Sequence, residues 1–495
     1  MQATRPDSPG GLGKTSRLRR RSPAGAFLRE VVMNHTKHRV HDKSTMRQVR
    51  TSSRSSSRRP HHCKGEFLMP KLSPRAVALL CLSAASLASH PAWAGNGLNV
   101  TGIGAQSLGM GSADLAVPGS SAAVTINPAN LTQIPGSRLD ASIEPFVTNG
   151  FSHRDALNSR KRSDQPYGAL LNASYARKLW RPDLTLGVGM FVAGGSGSEY
   201  EDLNTAFGTV DAYAVTFGVT RLATGLGWQL TPQLSLGAAF NVSYASLRQK
   251  LFPKTSDAAT GFHGLRLDGA DGVSYNGRVG LLYRFSPTIA IGASYASINK
   301  LKLEGGELSV NYDAIDQGVV RYGEARVKGF ALPQEFGVGI AWRAAPKWLL
   351  STEVTWLDWS GAAKSVRLSA RDPETANANV PQSLVLDQAL GFRDQFVFAL
   401  GAAYDLTDKT RLMAGINLAR NPVPNRNVTP TINVTQEVEL NVGIRQVLSD
   451  RWEFSSAIQY QPAKTEAANN PAQPFTNARD GYGVIAWVFE FSRRW

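Results

Sequence analysis

Large apolar residues recur at every second position along much of this chain. In 184–192, Leu186, Val188, Met190 and Val192 share one parity, and Gly187, Gly189 and Phe191 the other. In 234–244, Leu236, Phe240, Val242 and Tyr244 oppose Ser235, Gly237, Asn241 and Ser243. In 396–404, Phe396, Phe398, Leu400 and Tyr404 oppose Val397, Ala399 and Gly401. The final stretch sets Ile485, Trp487, Phe489, Phe491 and Trp495 against Ala486, Val488, Glu490 and Ser492. A period of two marks β-strands with two unlike faces. Such segments fall at 138–147, 167–178, 184–194, 216–228, 234–245, 273–285, 288–298, 329–343, 348–359, 395–406, 410–419, 437–448, 451–461 and 482–495. A length of about ten residues suits a tilted strand that crosses a bilayer.

The connections sharpen this reading. Tight turns occur at Arg181-Pro182-Asp183, Thr231-Pro232, Ser286-Pro287, Ala345-Pro346, Thr407-Asp408-Lys409 and Ser449-Asp450. Long links occur near 148–166, 195–215, 246–272, 299–328, 360–394, 420–436 and 462–481. Short and long alternate strictly, the rule of outer-membrane barrels with short periplasmic turns and long outer loops. A soluble β-sandwich has no reason for that asymmetry. The expected fold is all-β: a 14-stranded antiparallel transmembrane β-barrel over 138–495, with both ends periplasmic and the bulky face toward lipid. Arg493 shares the lipid-facing parity of the last strand, which near an interface costs only about 0–1 kcal/mol.

The formal charge of +16 does not describe the barrel. Residues 1–68 hold 16 Lys/Arg against 4 Asp/Glu, whereas 95–495 hold 36 against 34. The excess sits in a Ser/Arg-rich head without apolar periodicity, which reads as disordered. After it, Met69 opens a stretch with basic Lys71 and Arg75, an apolar run from Ala76 to Leu87, and Ala92-Trp93-Ala94. These are the parts of a cleaved signal peptide over 69–94, too short to span a membrane as a helix. Because such a signal works only at an N-terminus, Met69 is the expected initiator, and nucleic-acid binding by the head is not expected. Both cysteines, Cys63 and Cys81, precede Gly95, so disulfides play no part afterwards.

Residues 95–137 are small, Gly/Ala/Ser-rich and uncharged apart from Asp114. Asn127 followed by Pro128 reads as a helix cap with proline at the first helical position, opening a short helix through Ala129 and Leu131. A lumen about fourteen strands wide is too large for wall side chains to fill, so this segment is expected to be a helical hatch, or plug, inside it. A surface leader is the alternative.

The run GIGAQSLGMGSADLAVPGSSAAVTINPANL resembles the N-terminal hatch of the FadL/TodX family of outer-membrane transporters for long-chain fatty acids and aromatic hydrocarbons, most of all at Asn127-Pro128-Ala129 and Leu131. ALPQEFGVGIAW, WLLSTEVTWLDWS and ARNPVPNRNVTPTIN also resemble family segments. The resemblance implies a monomeric barrel with a lateral opening at a kink in the third strand. Gly194, Gly195 and Gly197 allow such a kink, or simply begin a flexible loop. The terminal aromatic Trp495 of the last strand fits the signal by which the outer-membrane insertion machinery recognises its clients.

Candidate chemistry is sparse. His153 and His263 are the histidines after residue 94, and both are expected as solvated loop residues without a metal-site or hydrolase pattern. The Gly-rich run at 101–111 lacks nucleotide-binding spacing. Asp358, between Trp356 and Trp359, reads as a rim residue in an aromatic belt. No catalytic residue, metal or cofactor is expected. The expected function is passive uptake of a hydrophobic small molecule across the bacterial outer membrane. Leu203, Phe207, Phe252, Phe262 and Leu265 are candidates for an apolar capture groove, and Arg248, Lys250 and Arg266 for a carboxylate partner. A general diffusion porin and an adhesin remain alternatives.

Overall fold

A computed structural model describes residues 96–375, 377–468 and 474–495. The basic head, the expected signal peptide and Gly95 lie outside the described residues. Fourteen antiparallel strands form the wall. They are β1 (Ser137–Val147), β2 (Tyr167–Lys178), β3 (Leu184–Asn204), β4 (Val210–Gln229), β5 (Leu234–Asp257), β6 (Phe262–Arg284) and β7 (Ile289–Ala296). The circuit continues with β8 (Glu335–Ala345), β9 (Trp348–Leu357), β10 (Gln395–Asp405), β11 (Thr410–Ala419), β12 (Val438–Val447), β13 (Trp452–Ala468) and β14 (Ala478–Arg494). Each pairs with its neighbour, and β1 closes on β14 with Ile143 opposite Phe489 and Arg138 opposite Arg494. The chain end is tied in too: Ser137 and Trp495 exchange both backbone hydrogen bonds. No helix among the described residues is long and apolar enough to cross a membrane.

The outward parity is apolar because lipid is its solvent. One aromatic row crosses four strands at the outer end: Tyr295, Phe336, Trp356 and Phe396 stand opposite one another in register. Another marks the inner end, where Trp348 packs on Tyr404 with ring centroids 4.8 Å apart. From Phe336 to Ala345 the strand covers about 30 Å at ~3.3 Å per residue, or ~23 Å along the membrane normal at a tilt of ~40°. That matches a hydrocarbon core. Arg493 stacks against Trp452 and Trp495, its guanidinium carbon 5.2 and 4.7 Å from the two ring centroids, which explains a charge on the lipid-facing parity at the inner interface. Val442 sits at the middle of β12 and is 56% exposed. Val442→Arg should destabilise the barrel by about 2–4 kcal/mol in a urea titration in lipid vesicles.

The structure departs from the sequence expectation above the membrane. β3, β4, β5 and β6 run for 21, 20, 24 and 23 residues, so much of the expected loops at 195–215 and 246–272 is strand. Once both faces meet water or protein, the lipid-enforced alternation fades while the backbone ladder continues. The links at 299–328 and 360–394 form hairpins, 299–311 with 319–332 and 365–373 with 383–389, and the first pairs onto the outer part of β6. Residues 329–332, expected in the eighth barrel strand, belong to the first hairpin. The break falls at Pro333 and Gln334, and β8 starts at Glu335.

Candidate functional site

Residues 96–134 pack inside the wall through two short helices, α1 (Ala105–Gly109) and α2 (Ala123–Ile126), and a 3-10 turn over Pro128–Gln133. Asn127 organises the turn. Its Oδ1 accepts from the Ala129 amide at 3.2 Å, and its Nδ2 donates to the carbonyls of Leu115 at 2.7 Å and Leu281 of β6 at 3.0 Å. Close approach to the wall requires glycine there: a Cβ on Gly280 would collide with Asn127, and one on Gly237 with the Pro128 backbone. Leu131 and Ala129 are fully buried.

Inward-facing carboxylates of the wall grip the segment by its backbone. Asp140 of β1 accepts from the Ser121 amide at 2.7 Å and its hydroxyl at 2.6 Å. Glu353 of β9 accepts from the amides of Asp114 and Leu115, both at 3.1 Å. Glu490 of β14 accepts from the Ala105 amide at 3.3 Å. The Asp140 bonds are the strongest of these, because a carboxylate paired with a guanidinium is a charged acceptor. Arg138, in turn, holds Asp140 at 2.8 Å and Glu453 at 2.9 Å. A cavity of about 130 Å³, lined by Asn99, Ser112, Arg221 and Arg278 among others, lies between segment and wall.

The third strand has a specific irregularity. Its ladder with β4 pairs Val192 with Thr220 and then Gly194 with Val219, leaving Ala193 as the extra residue of a β-bulge. Its ladder with β2 ends where Ala173 faces Met190, although both strands continue outward. The edge of β3 thus vacated is taken by the chain's own first described residues. Gly195 donates to the Leu98 carbonyl at 2.9 Å, and the Val100 amide to Ala193 at 3.4 Å. A Cβ on Gly194 would strike the Leu98 carbonyl. Gly197 sits in regular ladder opposite Thr216. Inside the gap lies an apolar cluster containing Leu98, Phe146, Leu170 and Val192. From the N-terminal side, Trp359, fully buried in the helix α3 (Trp359–Ala362), packs against Gly97. Asp358 caps α3 by accepting from the Gly361 amide at 2.9 Å.

Above the lumen, Leu203 and Phe252 join Tyr200 and Tyr213 in one buried cluster, with Phe262 packed against it and Phe207 stacked on Phe262 at 4.5 Å. Leu265 is elsewhere, in the core beneath the outer hairpins. Leu203 and Phe252 are fully enclosed, so the cluster is packed rather than an open groove. Arg248, Lys250 and Arg266 are not beside it. They line a recess of about 820 Å³ on the opposite face of the sheet, because they alternate with inward Leu247, Leu251 and Leu265. Lys250 is paired with Glu199 and Glu201, and Arg266 with Asp268.

The histidines correct the sequence reading. His153 is fully buried, with Nδ1 2.7 Å from Asp480 and Nε2 3.2 Å from Asp155, beneath the ring of Phe475 at 4.5 Å. His263 is half-buried against Tyr312, with its Nδ1 at 3.0 Å from the Asn311 carbonyl. Nothing near position 153 in sequence announces Asp480. Burial alone would lower the His153 pKa, but its hydrogen bonds and charge contacts with the two aspartates outweigh this and push it from 6.5 up to about 9. A raised folded value means that the tether's contribution is complete below the ordinary histidine range and is lost as pH rises through about 9. Amide protection over 152–162 should therefore fall between neutral pH and pH ~10 relative to His153→Gln, in which that pH dependence should be absent.

Among the described residues no group of three or more His, Cys, Asp or Glu is placed to hold a metal. No curated protein matches the chain. Solved structures do. The Pseudomonas putida toluene transporter TodX is 21% identical at a TM-score of 0.66, covering 81% of this chain and 100% of that one. The Ralstonia pickettii toluene transporter TbuX is 19% identical at 0.65, covering 80% and 99%. A Pseudomonas aeruginosa FadL homologue is 14% identical at 0.61, covering 80% and 98%. At these identities the likeness establishes the fold. The family described as outer membrane protein transport protein (OMPP1/FadL/TodX) matches residues 83–489. The chain belongs to that family, whose members are β-barrel channels for hydrophobic compounds in the bacterial outer membrane.

Proposed function

We propose that this protein takes up long-chain fatty acids or aromatic hydrocarbons passively, as a monomer, and releases them sideways through its wall. The observation that carries the reading is the break between β2 and β3 above Ala173 and Met190, stoppered by Leu98–Val100. A solute captured at the outer loops, where Phe207 and Phe262 are only partly buried, reaches the apolar cluster behind that break. Displacing the N-terminal residues then opens a path into lipid. Burying an alkyl chain is worth about 0.8 kcal/mol per CH₂, enough to draw a greasy solute through a wall gap without an energy source. The hatch, taken as 95–137, moves as the solute passes. An open diffusion pore does not fit a lumen filled by this segment. Export uses the signal peptide at 69–94, and Trp495, 54% exposed, is presented to the insertion machinery.

The test is uptake by cells lacking the protein and by complemented cells, supplied with a labelled long-chain fatty acid in one arm and toluene in the other. Loss of uptake in one arm identifies the solute class. Undiminished uptake in both would sink the reading.

A further inference from the structure

The outer loops carry a charged face that the channel leaves unused. The short strand 152–154 lies between the outer end of β14 and residues 161–162. In register, Arg154 stands opposite Arg479, His153 opposite both Asp480 and Lys161, and Ser152 opposite Arg162. Alternation puts His153 and Asp480 on the inner face of this ribbon and Arg154, Arg162 and Arg479 on the outer one. Arg160, just before Lys161, is exposed beside them, as are the other three.

Among the described residues, no carboxylate pairs with any of the four arginines. The nearby acids are engaged elsewhere: Asp155 and Asp480 with His153, Asp202 with Lys161, and Asp164 with the Glu201 amide. Like charges directly opposite on neighbouring strands repel, and an anion would relieve that. The buried His153 tether fixes the inner face, so the guanidinium groups project from a held backbone. Their height is informative. Tyr460 and Ile485 pair across β13 and β14 within the lipid-facing band, and Arg479 lies about 20 Å further out along the strand, or ~15 Å along the membrane normal. Phosphates of an outer-leaflet glycolipid occupy that level.

We propose that Arg154, Arg160, Arg162 and Arg479 form a docking face for the phosphate groups of the anionic glycolipid surrounding the barrel. The planar guanidinium fork matches phosphate with two hydrogen bonds, which lysine cannot do. The face looks out over the bilayer, so its occupant is membrane-tethered rather than a soluble anion. The proposal requires the outer-membrane location and not the transport reading.

The full chain, purified from outer membranes in mild detergent, can be assayed by native mass spectrometry for retained glycolipid. The R154Q/R162Q/R479Q variant should retain far less, about fivefold per charge removed and on the order of a hundredfold in all. Arg426→Gln, an exposed arginine elsewhere, should retain the wild-type amount. R154K/R479K, which keeps charge and loses the fork, should fall between and guards against a folding defect in the triple variant. Glycolipid stripped of its phosphates should not rebind. Unchanged retention in the triple variant, or equal rebinding of stripped glycolipid, overturns the proposal. Inorganic phosphate binding as tightly as the glycolipid overturns it too, in favour of a free-anion site. Uptake of hydrophobic solute should be the same in wild type and triple variant, which separates this face from the channel.

Discussion

Deleting Ala193 should abolish uptake while leaving a folded barrel. Ala193 is the extra residue between the Val192–Thr220 and Gly194–Val219 pairs. Its removal leaves all other residues of β3 on their present faces and removes the local bend that a bulge imposes. The ladder with β2 can then extend beyond Met190, and the edge held by Leu98–Val100 is lost to them. If lateral release is the exit, labelled-solute uptake should drop at least tenfold, since the gap is the path. Barrel assembly, followed by resistance to heat and detergent, should persist. Full uptake by the deletion variant would redirect the path down the lumen.

A cross-link between hatch and wall should also stop transport, and reversibly. The hydroxyls of Ser121, on the segment, and Ser174, on β2, are 2.7 Å apart. Ser121→Cys with Ser174→Cys places two thiols close to disulfide distance. The residues from 95 onward contain no other cysteine, so the pair has no competitor there. With the segment fastened, uptake should fall to background in oxidised cells and recover with a membrane-permeant reductant. Persistent uptake with the bond intact would mean that the hatch does not move around Ser121.

These two variants act on features of unequal visibility in the sequence. The glycines at 194, 195 and 197 point to an irregular third strand, yet which residue is extra depends on its pairing with Thr220 and Val219, which only the folded sheet supplies. Asn127 and Pro128 announce the turn that anchors the segment. The grip of Asp140, Glu353 and Glu490 is invisible in one dimension, because each is an isolated acid in an alternating strand. The outer loops misled the sequence reading in an instructive way. Leu247, Leu251 and Leu265 alternate with Arg248, Lys250 and Arg266, so a period-two reading carried into those loops would have placed the cations on the far face from these leucines. Yet it would have put Phe252 with the cations: the register shift after Leu251 and the positive φ at Phe252 turn its ring inward.

Alternation and turn length were enough to determine the strand number and the lipid-facing parity, and the small-residue leader made an occupied lumen one of two readings. Strand number and parity follow from local chain chemistry meeting one uniform solvent, since hydrocarbon imposes the same demand on every strand. Tertiary structure alone decided the break between β2 and β3, the buried His153–Asp480 pair and the row of arginines that no carboxylate among the described residues pairs with. These depend on which distant residues meet across a hydrogen-bonded register, and water above the membrane leaves no repeating demand from which that register can be read.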